Sequence, residues 1–262
     1  MNVCVTVLAA VVAATSAVRS TWSPCGLSML STITPLGERA KGHSYRSTAG
    51  WFILGGAAGG ATLGVAMAGL AAGVRSLHLS PTVIGFCAVG AAVAVAVSDT
   101  GIADVRLPVH HRQVNERWLD QYRPWVYGAG FGWQIGAGLV TYITTAAVYL
   151  TIVLAAFTAL PMTALAIGVG FGTLRGLAVL LTRHLGTPTE LRAFHRRFAS
   201  RGESVGRAVV GVEVGVTAVL IAAVLVVSVE SPAALAVLTV GLGSAGAALL
   251  VARRGADRPR LT

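Results

Sequence analysis

Ser23-Pro24-Cys25-Gly26 lies inside an apolar run that extends from Asn2 to about Ile33. Proline lacks a backbone N–H and clashes with the preceding turn, so this stretch interrupts any helix that runs into it. In a bilayer, the backbone groups freed by such a break need partners within the protein or in a water-filled cavity. A thiol stands at the break. The other half of the chain holds a second interrupted run, Gly128-Ala129-Gly130-Phe131-Gly132-Trp133-Gln134-Ile135-Gly136, and it has no thiol.

Composition places both runs in a membrane. Of 262 residues, 55% are hydrophobic and 11% are charged, against roughly 25% charged in soluble domains. Several apolar runs reach the about 20 residues that one helix needs to cross the hydrocarbon core. The 32 glycines fit helices packed closely through small residues. The net charge of +10 does not point to nucleic acid, because the arginines fall in short loops between apolar runs. There they serve topology and anionic headgroups. The lipid bilayer is therefore the partner that composition names. Three cysteines, Cys4, Cys25 and Cys87, cannot all pair with one another, so no disulfide framework is expected.

The spacing predicts an all-α polytopic helix bundle with about seven segments. Segment one runs from Asn2 to Ile33 with a break near Arg19 to Pro24; a cleaved signal peptide ending near Ala17 is the less favoured reading. Segments two and three are about Thr48–Val74 and Pro81–Asp99. Segment four, Trp125–Thr158, is too long for one upright span, and its glycine-rich start is the expected break. Segment five is Pro161–Thr182. Thr187-Pro188-Thr189-Glu190 reads as a capping box with proline at the first helical position. It opens a short amphipathic helix, with Leu191, Phe194 and Phe198 on one side, expected to lie on the membrane surface. Segments six and seven are about Ala208–Val229 and Ala233–Ala252.

Basic stretches alternate with poorly charged ones. Arg39/Lys41/Arg46, Arg106/Arg112/Arg117/Arg123, Arg192/Arg196/Arg197/Arg201 and the Arg253–Arg260 tail all fall on one side of seven segments, with Arg75 as the one exception. The positive-inside rule then predicts a bacterial plasma membrane protein with its N-terminus outside and its C-terminus cytoplasmic. The expected plan is a single integral membrane domain over 1–262: repeat one about 1–100, an inverted repeat two about 124–229, and an extra helix over 233–252. The two interruptions occupy corresponding places in the halves. Paired interruptions in an inverted repeat point to a site near the bilayer midplane.

Ser23-Pro24-Cys25 after an apolar start and before a basic loop, together with Gly132-Trp133, resembles the CcdA/DsbD family of cytochrome-c-biogenesis and thiol-disulfide membrane transporters. That resemblance implies a Pro-Cys in the first helix of each repeat, two thiols carrying reducing equivalents, and a thioredoxin-like or other membrane partner. Where the second Pro-Cys would follow Gly132-Trp133, this chain has Gln134-Ile135-Gly136. Thiol exchange through two cysteines needs that second thiol.

The candidate residues each have two readings. Cys25 is a redox thiol at a helix break, or a small buried packing residue. Pro24, Ser28, Thr32, Gln134, Gly136 and Thr141 line a substrate path after the two breaks, or their hydroxyls satisfy carbonyls of their own helices. Arg175 and Glu213 stand at membrane depth. Arg175 is about 12 Å along its helix from Arg183, and Glu213 about 9 Å from Arg207. Charges there face the bundle interior and pair, so an Arg175–Glu213 ion pair is expected, either structural or as a substrate or proton site. His110-His111 is adjacent, without the i, i+4 spacing of a helical metal site; no metal and no cofactor are expected. The function these residues imply is movement of reducing equivalents or of a small solute, and a transport role is favoured over classical catalysis. The alternatives are a small-solute or metal exporter without thiol chemistry, and a non-catalytic membrane partner.

Overall fold

The computed structural model describes residues 2–101, 122–139 and 143–228. Among them every regular element is helical. α1 spans Asn2–Arg19 and ends in a 3-10 turn at Ser20–Trp22. α2 follows at Pro24–Thr32, then a short α3 at Pro35–Ala40. The long α4 covers Tyr45–Ser76 and α5 covers Pro81–Thr100. α6 is Pro124–Gly136, α7 is Ala147–Phe157 and α8 is Pro161–Leu177, which tightens into a 3-10 stretch at Ala178–Thr182. α9 is one helix of 41 residues, Pro188–Ser228.

Five of these stretches are long and apolar enough to cross a membrane: Val3–Trp22, Tyr45–Ser76, Pro81–Thr100, Pro161–Thr182 and Pro188–Val227. The chain is an all-helical protein with the character of a membrane protein. Large apolar side chains face outward along several of them, among them Val7, Val11 and Val18 on α1 and Leu54, Val65 and Leu70 on α4. The expected segment seven, the tail and His110-His111 lie outside the described residues.

The first break falls where the sequence places it. Ser23 is the N-cap of α2, with extended backbone, and its side chain accepts a hydrogen bond from Gly26 N–H at 3.1 Å. Pro24 takes the first helical position, where a missing N–H costs nothing. The second break falls later than expected. Gly128, Gly132 and Gly136 lie inside α6, and the chain turns only after them, at Gly138 with φ +73. Residues 143–146 are non-helical, and α7 begins at Ala147.

The physical reason is packing. A Cβ on Gly132 would run into the backbone of Phe52, and one on Gly136 into that of Gly56. These glycines recur every fourth residue and form the face of α6 that meets α4. A second face of α4, Gly56, Gly60 and Gly64, meets Gly168, Gly172 and Gly176 of α8 in the same way. α4 is thus the central helix, held between α6 and α8 by backbone-to-backbone approach that only glycine allows.

The short surface helix expected to start at Pro188 is instead the first half of α9. Two of the residues on its apolar side pack within the protein. Phe198 stacks on Trp22 with ring centroids 4.2 Å apart and planes 5° apart, and Trp22 Nε1 donates to the Phe198 carbonyl at 2.8 Å. Phe194 stacks on Phe198. The aromatic spacing that reads as a membrane-surface face is a docking face for the turn before the first break. The capping box is present: Glu190 N–H donates to Thr187 Oγ1, and the Glu190 carboxylate accepts from Gly186 and Thr187 N–H.

Contacts gather several polar ends on one side of the bundle. Tyr45 Oη donates to the Val179 carbonyl at 2.8 Å, and Thr182 Oγ1 to the Ile33 carbonyl at 3.2 Å. Tyr127, near the start of α6, donates to Glu38 of α3. The loop with Arg39 and Lys41, the start of α6, the end of α8 and the polar start of α9 therefore share a side.

Candidate functional site

Arg175, on α8, is 3% exposed. It follows Gly168 and Gly172 on that helix, whose glycines bring α8 against α4 and so fix its depth in the bundle. Its guanidinium lies 5.5 Å from the centroid of the Phe171 ring, one turn back. It is within electrostatic reach of Cys25. A Cβ on Gly138 would sit 3.6 Å from Arg175 Nη1. One buried cation thus bears on both interruptions: electrostatically on the start of α2 at Cys25, and by proximity on the turn after α6 at Gly138. Among the described residues no carboxylate pairs with it.

Cys25 is 2% exposed and Cys87 is exposed. No disulfide joins Cys4, Cys25 and Cys87. Pro24 heads α2. Thr32 Oγ1 donates to the Ser28 carbonyl at 2.8 Å, the local bond that a helical hydroxyl makes with its own backbone. Gln134 is half-buried on α6, and Gly136 stands in the contact with α4. Thr141 lies outside the described residues.

Glu213 is 1% exposed, so both membrane-depth charges do face inward. They do not meet. No ion pair joins Arg175 and Glu213, and both Glu213 carboxylate oxygens are buried without a hydrogen-bond partner among the described residues. Equal depth along two helices does not set their rotation. α9 packs closely against α5, and Glu213 faces Asp99 there. Asp99 accepts a short hydrogen bond from Thr145 Oγ1 and one of 2.7 Å from Ala146 N–H, in the second break. Arg19, at the end of α1, is in electrostatic reach of Asp99, and a Cβ on Gly206 would lie 3.7 Å from its Nε.

A third polar cluster sits at the side that carries Lys41. Glu38 is fully buried, accepting from Tyr127 Oη at 2.8 and 2.6 Å and from Thr48 Oγ1 at 2.5 Å. Lys41 Nζ lies 5.5 Å from the Tyr127 ring centroid. Sequence reasoning misses this cluster because Glu38 looks like one member of a solvated basic loop. Asp99 looks like the end of a segment, and Arg19 like part of its break. Only the fold brings each to a buried partner. Among the described residues no group of three or more His, Cys, Asp or Glu side chains is placed to hold a metal.

No family model matches the chain, and no solved structure matches it. Curated relatives do. It is 31% identical over 151 residues to the methylamine utilization protein MauF of Paracoccus denitrificans, covering 53% of this chain and 50% of the relative. It is 30% identical over 134 residues to MauF of Methylophilus methylotrophus, covering 50% and 46%, and 31% identical over 146 residues to MauF of Methylobacillus flagellatus, covering 53% and 49%. The chain spans about half the length of the curated relatives it matches. These relatives overturn the CcdA/DsbD assignment, whose second motif also has a physical explanation here: Gly132 belongs to the glycine face that packs α6 on α4. The chain is similar, over about half its length, to methylamine utilization proteins of the MauF type.

Proposed function

We propose that the chain is an integral membrane protein that moves a small solute through a polar site between its two helix breaks, in the service of methylamine utilization. The observation that carries this reading is Arg175: a buried guanidinium close to the second interruption and in electrostatic reach of the first, with no carboxylate beside it among the described residues. A buried charge is costly and is retained where it has a task. The reading takes the chain as one domain of two inverted halves, so that the breaks are equivalent points of a rocking unit. The cation sets the charge of the cargo. It repels an ammonium group and favours an anionic or strongly dipolar solute, so methylammonium itself is not what Arg175 binds. The link to methylamine rests on the names of the relatives, and it fits a protein that supplies or clears a companion solute.

The non-catalytic partner role is the second reading, and the relatives' shared name as utilization proteins is what favours it. One experiment separates the two. A methylamine-utilizing bacterium that has lost its own MauF-type gene is complemented with this chain, and growth on methylamine is compared with growth on another carbon source. Under the transport reading, Arg175→Met abolishes growth on methylamine alone and Arg175→Lys restores part of it. Full growth with Arg175→Met, in a strain that needs the chain, overturns transport through this site and leaves the partner role.

A further inference from the structure

Among the described residues three side chains carry buried polar atoms without a hydrogen-bond partner, His43, Thr144 and Glu213, and Glu213 is the one carboxylate among them. Arg175 belongs to the site above, and Glu38 has three hydrogen bonds. Among the described residues Glu213 has neither hydrogen bond nor ion pair for its two oxygens, and it faces another acid, Asp99, across the α5–α9 contact. Two ionised carboxylates side by side have no donor between them, and in a medium of low dielectric they cannot both stay charged.

The surroundings separate their roles. Asp99 already receives two donors, Thr145 Oγ1 and Ala146 N–H, one on each oxygen. Arg19 adds positive potential from α1. Asp99 is thus held in place by its donors. Glu213 receives no donor. Its own helix offers none nearby: Arg207, nearly two turns back, is exposed and pairs with Glu203 at 3.7 Å. Among the described residues, Asp99 is the charged group that bears on it, and Arg19 acts on Asp99. With one proton on Glu213, its hydroxyl donates to Asp99, and a buried oxygen without a partner gains one.

We propose that Asp99 and Glu213 form a proton-binding site, in which the two buried carboxyl groups hold one proton between them. The proton comes from water and returns to water, and no electron is transferred. The site is bound to the second break, because Thr145 and Ala146 hold Asp99. Loss or gain of the proton therefore bears on the same segment that carries Gly138 to Arg175. Coupling of that proton to solute movement rests on the transport reading. The site itself does not, and its test reads protonation rather than growth.

Infrared spectra of the purified full chain at neutral pH, in water and in deuterium oxide, test it. The expected result is a carbonyl band of a protonated carboxylic acid that shifts on deuteration. It disappears in Glu213→Gln, moves in Asp99→Asn because the acceptor changes, and stays unchanged in the exposed control Glu203→Gln. Should Glu213→Gln fail to fold, the wild-type band and its displacement in Asp99→Asn decide the matter. Absence of an acid band in the wild type, or a band that neither variant alters, overturns the proposal. A positive result with unimpaired growth of Arg175→Met leaves the proton site standing and the transport reading fallen.

Discussion

A Cβ on Gly60 would lie 2.8 Å from the Cα of Gly172, inside any permitted carbon–carbon contact. α4 and α8 therefore touch backbone to backbone at this point. A side chain at Gly172 must force the helices apart or leave them unpaired, and overpacking of this kind costs about 1–3 kcal/mol or more. Gly172→Val should lower the midpoint of thermal unfolding in detergent, and with it the yield. Gly170, on the same helix with open space around it, supplies the control. Gly170→Ala removes helix-interior glycine and should gain about 0.5–1 kcal/mol. Equal effects at the two positions would show that the interface is looser than the coordinates place it.

Tyr127 and Glu38 tie α6 to α3. The phenol donates to a fully buried carboxylate that, among the described residues, has Thr48 as its one further donor. Hydrogen bonds to charged groups contribute about 1.5–3 kcal/mol. Tyr127→Phe should cost about that much, and Tyr127→Phe with Glu38→Gln less than the sum of the two single changes, because the pair is coupled. Thermal unfolding of the four proteins closes the cycle. Additive losses would mean that Glu38 finds another donor.

Much of the architecture is legible from local chemistry. Ser23-Pro24 announces the first break because an N-cap serine and a proline at the first helical position act within one turn. Thr187 and Glu190 announce the start of α9 for the same reason. What depends on rotation is not legible. Gly128, Gly132 and Gly136 have the composition of a break, yet their four-residue period is that of a packing face, and Gly168, Gly172 and Gly176 repeat it. The missed signal was period, which composition hides. Arg175 and Glu213 are correctly buried but wrongly paired. Depth follows from counting residues, whereas the direction each side chain takes depends on α8 meeting α4 and α9 meeting α5.

Glu190 gives the start of α9 a pH dependence. At 1.5 Å per residue α9 is about 60 Å long, twice the hydrocarbon core, so its polar first turns lie outside the membrane. There the N–H groups of Gly186 and Thr187 hold the Glu190 carboxyl below its usual value. A group whose value is depressed in the folded state stabilises that state above the unfolded value, and the benefit is lost as pH falls through the folded one. The first turn should therefore be protected from amide exchange at neutral pH and fray as pH falls through and below the usual carboxylate range. Glu190→Gln should be frayed to a similar degree at all pH values. A wild-type protection that ignores pH would remove Glu190 from the cap.

Orientation follows from which ends share a side. Tyr45 reaches Val179, Thr182 reaches Ile33, and Tyr127 reaches Glu38. Arg39, Lys41, Arg46, Arg123 and Arg183 are thus collected at one side, and Arg192, Arg196 and Arg197 extend from it on α9. The opposite turn, between α7 and α8 at Ala159 and Leu160, carries no charge. Basic residues near segment ends are retained in the cytoplasm, and long arginine clusters would also meet anionic headgroups there. Reporter fusions at Gly42 should read cytoplasmic and fusions at Leu160 external. The same rule, applied to seven segments, expects Ser231 outside and the basic tail inside. Adding three arginines around Leu160 should weaken or scramble the orientation, because the charge bias that sets it would be reduced. An external reading at Gly42 would reverse the whole assignment, since every basic end listed shares that side.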